Sequence, residues 1–342
     1  MYVAILHNRV AADASAADRD VLVQVESVAA ALRHLGHASD TIPCDLNLQV
    51  LQDQLEQRPP EVVFNLVESL AGSDSLGFLV PALLDRMCVP YTGSPTVATF
   101  LTNHKLLAKQ RLVQAGLPTP VWLADSPGAW APPGVGQGEE RIRPGDRFII
   151  KAISEHASVG LDEHSLVTVN GRSELQGRLR EFRQSLQRPC FAEQFIDGRE
   201  FNISLLADAH GCQVLPPAEI DFSAFPSGKP RLVGYRAKWD ENTFEFQNTP
   251  RRFDFPPEDG PLLSRLAQLS AACWELFGVR GYTRVDYRVD AAGQPWILEV
   301  NTNPCLSPDA GFAAALQQAR IAFPEAVARI LADARAAAGI SP

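Results

Sequence analysis

Residues 281–289, Gly-Tyr-Thr-Arg-Val-Asp-Tyr-Arg-Val, and residues 295–301, Pro-Trp-Ile-Leu-Glu-Val-Asn, are the stretch from which the rest of the chain can be read. Side chains alternate with period two along a strand, so Tyr282, Arg284, Asp286 and Arg288 share one face while Val285, Tyr287 and Val289 take the other. The Asp290-Ala-Ala-Gly293 turn predicts a hairpin. In the returning strand Ile297, Glu299 and Asn301 alternate with Leu298 and Val300. The pair therefore gathers Asp286, Glu299 and Asn301. Three oxygen donors with two negative charges suit Mg²⁺, a hard ion that keeps several waters and takes its other ligands from substrate phosphates. Alternation is equally what a half-solvated strand pair shows, so spacing alone leaves both readings open.

Upstream, Val3-Ala-Ile-Leu6 reads as a buried strand, followed by Val21, Val25, Val28, Leu32 and Leu35 at helical spacing and Gly36 as a stop. Val62-Val-Phe-Asn-Leu66 is a second strand, leading through Gly72-Ser-Asp74 into a helix that ends near Met87. Strands alternating with helices predict a parallel sheet covered on both faces. Asn103 is placed to cap a helix through Ala115, stopped by Gly116 and Pro118. From Asp125 to Asp146 the chain is rich in proline and glycine, which predicts a loop. Its Gly134-x-Gly-x-Gly138 lacks the strand and helix that a dinucleotide fingerprint needs. Phe148-Ile-Ile-Lys151 resumes as a strand. Two further strands flank Asp197-Gly198, a dipeptide typical of hairpins, and imply a small antiparallel sheet. A helix over Pro261–Phe277 and an alanine-rich terminal helix carrying Phe323, Val327, Ile330 and Leu331 complete the pattern.

The 342 residues suffice for two or three compact units, and 46% hydrophobic with 21% charged residues is ordinary for a globular protein. A net charge of −9 argues against a nucleic-acid face, which needs an excess of basic residues. Met1–Leu6 lacks the features of a signal peptide and no stretch approaches a membrane span, so the expected setting is cytoplasmic, without membrane contact. Six scattered cysteines without C-x-x-C spacing suit reduced thiols. Cys305 has no histidine neighbour that would make it a nucleophile. His34 and His37 read as part of a polar helix end rather than a zinc site.

Gly281-Tyr-Thr-Arg284-Val-Asp286 with Trp296-Ile-Leu-Glu299-Val-Asn301-Thr-Asn-Pro304 resembles the metal-binding end of the D-alanine–D-alanine ligase branch of the ATP-grasp superfamily. Other segments match in the same order. Lys105, in Thr-Asn-His-Lys105, and Lys151 stand where the family places the lysines that open the two halves of the adenine site. Glu155-His-Ala-Ser158-Val-Gly160 is similar to its small-residue loop over the phosphates, where backbone N–H groups can meet phosphate oxygens. Phe191-Ala-Glu193-Gln-Phe-Ile196-Asp-Gly-Arg-Glu200 is similar to its hinge, and Gly234-Tyr-Arg-Ala-Lys238-Trp239 to its mobile loop.

The resemblance implies three α/β domains of ATP-grasp type: a Rossmann-like unit over 1–93, a central unit over 94–192 and a C-terminal unit over 193–342. By it, Glu193 and Ile196 meet adenine, Glu200 the ribose, and Lys238 the γ-phosphate. Arg284, with backbone N–H groups near Cys305 and Leu306, meets an anionic intermediate. Asp286, Glu299 and Asn301 hold Mg²⁺, with Mn²⁺ as the alternative ion. The implied activity is ATP-dependent ligation of a carboxylate to an amine through an acyl phosphate, on amino-acid, peptide or amine substrates. The specific alternative is D-alanine–D-alanine ligation; a different one is nucleotide binding without catalysis. Oligomeric state stays open, a homodimer among the options.

Three places depart from the family pattern. The Gly-Gly-x-Ser-x-Glu-like turn becomes His7-Asn-Arg-Val-Ala-Ala-Asp13, without glutamate. The His-Gly-x-Gly-Gly-Glu-Asp-Gly stretch becomes Asn65-Leu-Val-Glu68-Ser-Leu-Ala-Gly72. The Ser-Leu pair expected at the second substrate's carboxylate becomes Ala310-Gly311, preceded by Asp309. A lost hydroxyl and an added acid imply an acceptor other than D-alanine. The bland reading of Asp309 is a helix N-cap.

Overall fold

The structure, a computed structural model, describes residues 1–11, 13–124, 136–137, 142–155 and 161–340. The first sheet is built from β1 (Tyr2–Asn8), α1 (Ala16–His34), β2 (Ala38–Cys44), α2 (Leu48–Gln57), β3 (Val62–Leu66) and α3 (Leu79–Met87). Its strands run parallel in the order β2-β1-β3. Val3 and Ile5 pack on α1, while Ala4 and Leu6 pack on α2 and α3, so both faces of β1 are buried. β2, which the apolar pattern did not predict, is an edge strand of largely exposed residues containing Pro43, a residue tolerated only at edges.

α4 (Thr96–Asn103) and α5 (Lys105–Gln114) follow. Here the expected cap shifts by one residue. Asn103 ends α4 and donates to the Asp74 carbonyl at 3.0 Å, whereas His104 caps α5 by accepting from Leu107 N at 3.2 Å. Both helices pack toward β14 and α9 (defined below), and α5 also sets Leu106 against Trp122 and Phe191 of the sheet that comes next in sequence.

The second sheet contains β4 (Trp122–Ala124), β5 (Gly136–Gln137), β6 (Asp146–Ala152), β7 (Leu166–Val169) and β8 (Cys190–Gln194), with α6 (Arg172–Leu186) between the last two. It is antiparallel in the order β5-β4-β8-β6-β7. Leu175 and Leu179 of α6 join Phe148, Ile150 and Ala192 in a core of its own. Most of the expected 125–146 loop, including Gly134 and Gly138, lies outside the described residues, as does Ser158.

The third sheet is formed by β9 (Arg199–Asp208), β10 (Gly211–Val214), β11 (Ala218–Ile220), β12 (Arg251–Arg252), β13 (Tyr282–Val289) and β14 (Pro295–Asn301). Short helices α7 (Tyr235–Trp239) and α8 (Phe244–Gln247) precede β12, and α9 (Gly260–Phe277), α10 (Gly311–Gln318) and α11 (Phe323–Ala337) complete the chain. The order is β12-β11-β9-β13-β14, with β10 also on β9. The Asp197-Gly198 dipeptide therefore does not close a hairpin: β8 and β9 belong to different sheets, and these residues carry the chain from one to the other. Glycine is required there because a Cβ on Gly198 would lie 2.0 Å from the Val289 carbonyl oxygen.

The β13–β14 pair forms as expected, with one correction. Asp286 stands opposite Glu299, but Tyr287 stands opposite Ile297, so Leu298 is an extra residue in a bulge. The bulge reverses the phase of β14. Ile297 joins Val285, Tyr287 and Val300 in the core, and both Leu298 and Glu299 face the cleft. On the opposite face of the third sheet from that core, Leu206 and Tyr282 join a cluster that also contains Val3, Ile5 and Phe64 of the first sheet and Ile330 of α11. No helix among the described residues is long and apolar enough to cross a membrane.

Candidate active site

One cleft of about 870 Å³ lies among the three sheets. Lys105, Lys151, Glu193, Ile196, Glu200, Lys238, Arg284, Asp286, Glu299 and Asn301 all line it. The positions singled out in the sequence are thus gathered in space, Ser158 falling outside the described residues.

At one end, Glu193 is 1% exposed and bridges two lysines. Oε2 accepts from Lys151 Nζ at 2.6 Å and Oε1 pairs with Lys109. Lys109, also 1% exposed, donates to Thr119 Oγ1 at 2.6 Å, and that hydroxyl donates to the Ile297 carbonyl at 2.8 Å. Burial opposes ionisation of Glu193, but the two ammonium groups outweigh it and hold the carboxyl below its usual range. Sequence reading missed Lys109, although it falls one helical turn after Lys105 on the same face of α5. Nearby, Arg288 Nη2 lies 3.2 Å from Glu200 Oε2, and Nη1 donates to the Gly198 carbonyl at 3.0 Å. Burial raises the pKa of Glu200 despite that guanidinium.

In the centre, Arg284 donates from Nε and Nη2 to the two oxygens of Asp286 at 2.7 and 2.8 Å. Asn202 Nδ2 adds a third bond to Asp286 at 2.8 Å. Glu299 lies 3.3 Å from Lys105 Nζ, and Asn301 Oδ1 accepts from Asn303 N at 2.9 Å. Lys238 faces this group from α7. Its pKa is lowered by burial and then by Arg284, with Asp286 and Glu299 opposing. Among the described residues no cluster of three His, Cys, Asp or Glu side chains is placed to hold a metal. The oxygen donors that the cleft offers beside one another are the carboxylates of Asp286 and Glu299 and the amide of Asn301. That set of hard oxygens fits a divalent cation that completes its shell with water and phosphate.

The far end is walled by α1 and the 305–311 segment. Asp20 accepts from Cys305 Sγ at 2.9 Å and from Ser307 Oγ at 2.8 Å, and Gln24 Oε1 accepts from Leu306 N at 3.0 Å. The Leu306 N–H expected to stabilise an oxyanion is thus already used. Burial, then the Asp20 carboxylate, pushes the Cys305 thiol well up, which favours the protonated form. The His7–Asp13 turn has no glutamate, yet carboxylates reach the cleft one element later, from Asp18 and Asp20 of α1. Asp309 does not cap α10: the cap is Ala310, with no side-chain hydrogen bond.

The residues that follow the small-residue loop meet the segment around α7. Tyr235 N donates to the Leu161 carbonyl at 3.1 Å, and Lys229 pairs with Glu163 at 2.6 Å and Glu245 at 2.8 Å.

A family model described as D-ala D-ala ligase C-terminus matches residues 139–332. A D-alanine–D-alanine ligase of Moorella thermoacetica is 31% identical over 318 residues, 89% of this chain and 91% of its own length. An uncharacterized protein of Sinorhizobium fredii is 28% identical over 90% of this chain and 85% of its own. Among solved structures, a D-alanine–D-alanine ligase from Bacillus anthracis complexed with ATP superposes with a TM-score of 0.73 at 18% identity, covering 99% of both chains, a likeness of fold.

Proposed function

Because the chain belongs to the D-alanine–D-alanine ligase-like family of ATP-grasp enzymes, and is an ATP-dependent carboxylate–amine ligase, we propose that its cleft joins two amino-acid-like substrates other than a pair of D-alanines. The family works with ATP, hence with a nucleotide and a divalent metal. In our reading the metal is Mg²⁺ or Mn²⁺, held by Asp286, Glu299 and Asn301. When bound, it neutralises phosphate charge.

A carboxylate resists an amine until it is activated as an acyl phosphate, which the amine then attacks with loss of phosphate. Phosphoryl transfer is mainly a matter of placing the reactants and neutralising charge. We assign Lys105, Lys151 and Lys238 to the phosphates, with Ser158 in the loop above them. Ile196 and the hinge backbone meet adenine. Glu200 accepts from the ribose, steadied by Arg288. Glu193 acts here through the lysines it anchors, which differs from direct contact with the base. Arg284 stabilises the tetrahedral anion as the amine adds. An acyl phosphate hydrolyses in water, so the touching 161–163 and 229–245 segments exclude solvent. Supply of ATP places the reaction in the cytoplasm.

The observation that carries this reading is the opposition of Asp286 and Glu299 in register with Arg284 and Lys238 beside them. D-alanine as both substrates is the second reading, favoured by full-length likeness to the Moorella enzyme. The experiment is ADP release over pairs of D- and L-amino acids, amines and small peptides. Release with at least one pair other than D-alanine with D-alanine, accompanied by an amide product, is the expected result. Its absence across the panel overturns the reading.

A further inference from the structure

Neighbouring residues on a strand point to opposite sides, and the two arginines of β12 do so with different outcomes. Arg252 lies against Glu219, donating from Nε to Oε2 at 2.9 Å. Arg251 lines the cleft. It donates from Nη1 to the Asp309 carbonyl at 3.1 Å and forms no ion pair with a carboxylate among the described residues. A guanidinium has five N–H donors, so that one bond leaves Arg251 with donors to spare for a ligand in the cleft it lines.

The surroundings are shaped around this group. A Cβ on Gly311 would stand 3.3 Å from Arg251 Nε and 3.8 Å from Cζ, so any side chain at 311 would crowd the guanidinium. Ala310, beside it, offers no polar group. Arg284 opens on the same cleft, and Arg251's pKa is lowered by desolvation and then by Arg284, with Asp309 opposing. Arg284 is already engaged by Asp286, so Arg251 is the guanidinium left to meet an anion, and its planar fork matches a carboxylate with two parallel hydrogen bonds.

We propose that Arg251 is the specificity-determining residue of the acceptor subsite, pairing with a free carboxylate on the amine-bearing substrate. It takes over the task of the hydroxyl that Ala310-Gly311 does not provide. The acceptor class is therefore an amino acid or peptide with a free carboxylate, and simple amines are excluded. This rests on the ligase reading above.

The test uses the full-length enzyme with ATP, Mg²⁺ and a matrix of amino-acid donors. Each acceptor is offered both as the free acid and as its primary carboxamide, and products are read by mass alongside ADP. We expect the acid to exceed the amide by on the order of 100-fold in kcat/KM, the scale at which a dedicated polar contact discriminates. Arg251→Met should lower the acid's kcat/KM by about 100-fold, chiefly through KM, shift the amide by less than about threefold, and leave the KM for ATP unchanged. Arg251→Lys should fall between, keeping the charge without the fork. Equal use of acid and amide by the wild type, or an equal loss of both in the variant, overturns the proposal. If Arg251→Met does not fold, as judged by ATP-dependent thermal stabilisation, Arg251→Gln is read in the same way. Failure of the ligase reading is distinct, since the wild type would then release no ADP with any pair.

Discussion

Arg284 holds both carboxylate oxygens of Asp286, at 2.7 and 2.8 Å, from two residues along the same strand. The group assigned to a developing oxyanion and a group assigned to the metal thus neutralise one another, and Lys105 stands in the same relation to Glu299 at 3.3 Å. The carboxylates are held in position while their charge is balanced. Glu299→Gln should abolish turnover with the melting temperature little changed, and Arg284→Met should lower kcat by roughly 100- to 1000-fold, the typical loss on removing one oxyanion donor. Near-normal activity in Glu299→Gln would remove the metal assignment.

Lys109 and Lys151 share one buried carboxylate, so removing Lys109 leaves Glu193 neutralised by Lys151 alone, with Oε1 and the Thr119 hydroxyl stripped of their buried partner. Lys109→Met should destabilise the fold by about 1–3 kcal/mol, the cost of leaving a buried acceptor without its partner. Lys151, more exposed and beside the proposed phosphates, should behave differently. Lys151→Ala should weaken ATP binding more than it lowers stability. Calorimetric ATP titration and thermal melts separate the two effects, and unchanged ATP affinity in Lys151→Ala would contradict the placement.

His104 caps α5 with an unprotonated ring nitrogen, and burial lowers its pKa below 6.5. The unfolded chain therefore takes up the proton more readily than the folded one. Stability from this residue is fully present at neutral pH, falls as pH drops below 6.5, and levels off once the lower folded value is passed. His7 and His37 shift in the same direction. Melts from pH 7.5 to 5 should show this slope, and His104→Asn, which keeps a capping oxygen, should reduce it without removing it. A slope unaffected by the substitution would contradict the assignment.

A Cβ on Gly234 would lie 2.5 Å from the Leu161 carbonyl oxygen, which itself accepts from Tyr235 N. Gly234→Ala should push the two lid segments apart while leaving the cores untouched. We expect kcat to fall and ADP release without coupled product to rise, because water then reaches the acyl phosphate. Tight coupling in the variant would show that the contact does not govern closure.

The enzyme should be a poor D-alanine–D-alanine ligase. Asp309 does not serve as a cap, and its backbone carbonyl instead receives Arg251, so the acceptor end is built from a guanidinium where the family pattern has a hydroxyl. Efficient D-alanyl-D-alanine formation at millimolar D-alanine, unmatched by any other pair, would refute this.

The β13–β14 face was legible because period-two alternation records directly which residues meet. What was not legible depended on partners distant in sequence. The bulge at Leu298 leaves no composition signal, and it moved Ile297 from the cleft to the core. Asp197-Gly198 looks like a hairpin turn locally, but which sheet each flanking strand joins is decided by Val289, far along the chain. Arg251 sits in a run of two arginines, and only the pairing of β12 with β11 shows that one is engaged by Glu219 and the other lines the cleft. Lys109 was within reach through its helical spacing from Lys105.

The apolar cluster that holds Val3 and Ile5 beside Leu206, Tyr282 and Ile330 spans the first and third sheets without a break. The second sheet, by contrast, packs α6 against its own strands. Its tie to the rest of the described residues runs through α5, where Leu106 packs on Trp122 and Phe191 and Lys109 pairs with Glu193. The beginning and end of the chain form the fixed frame that carries Asp286, Glu299 and Arg251. A displacement of the second sheet would carry Lys151 with it and would be resisted at the Glu193–Lys109 pair.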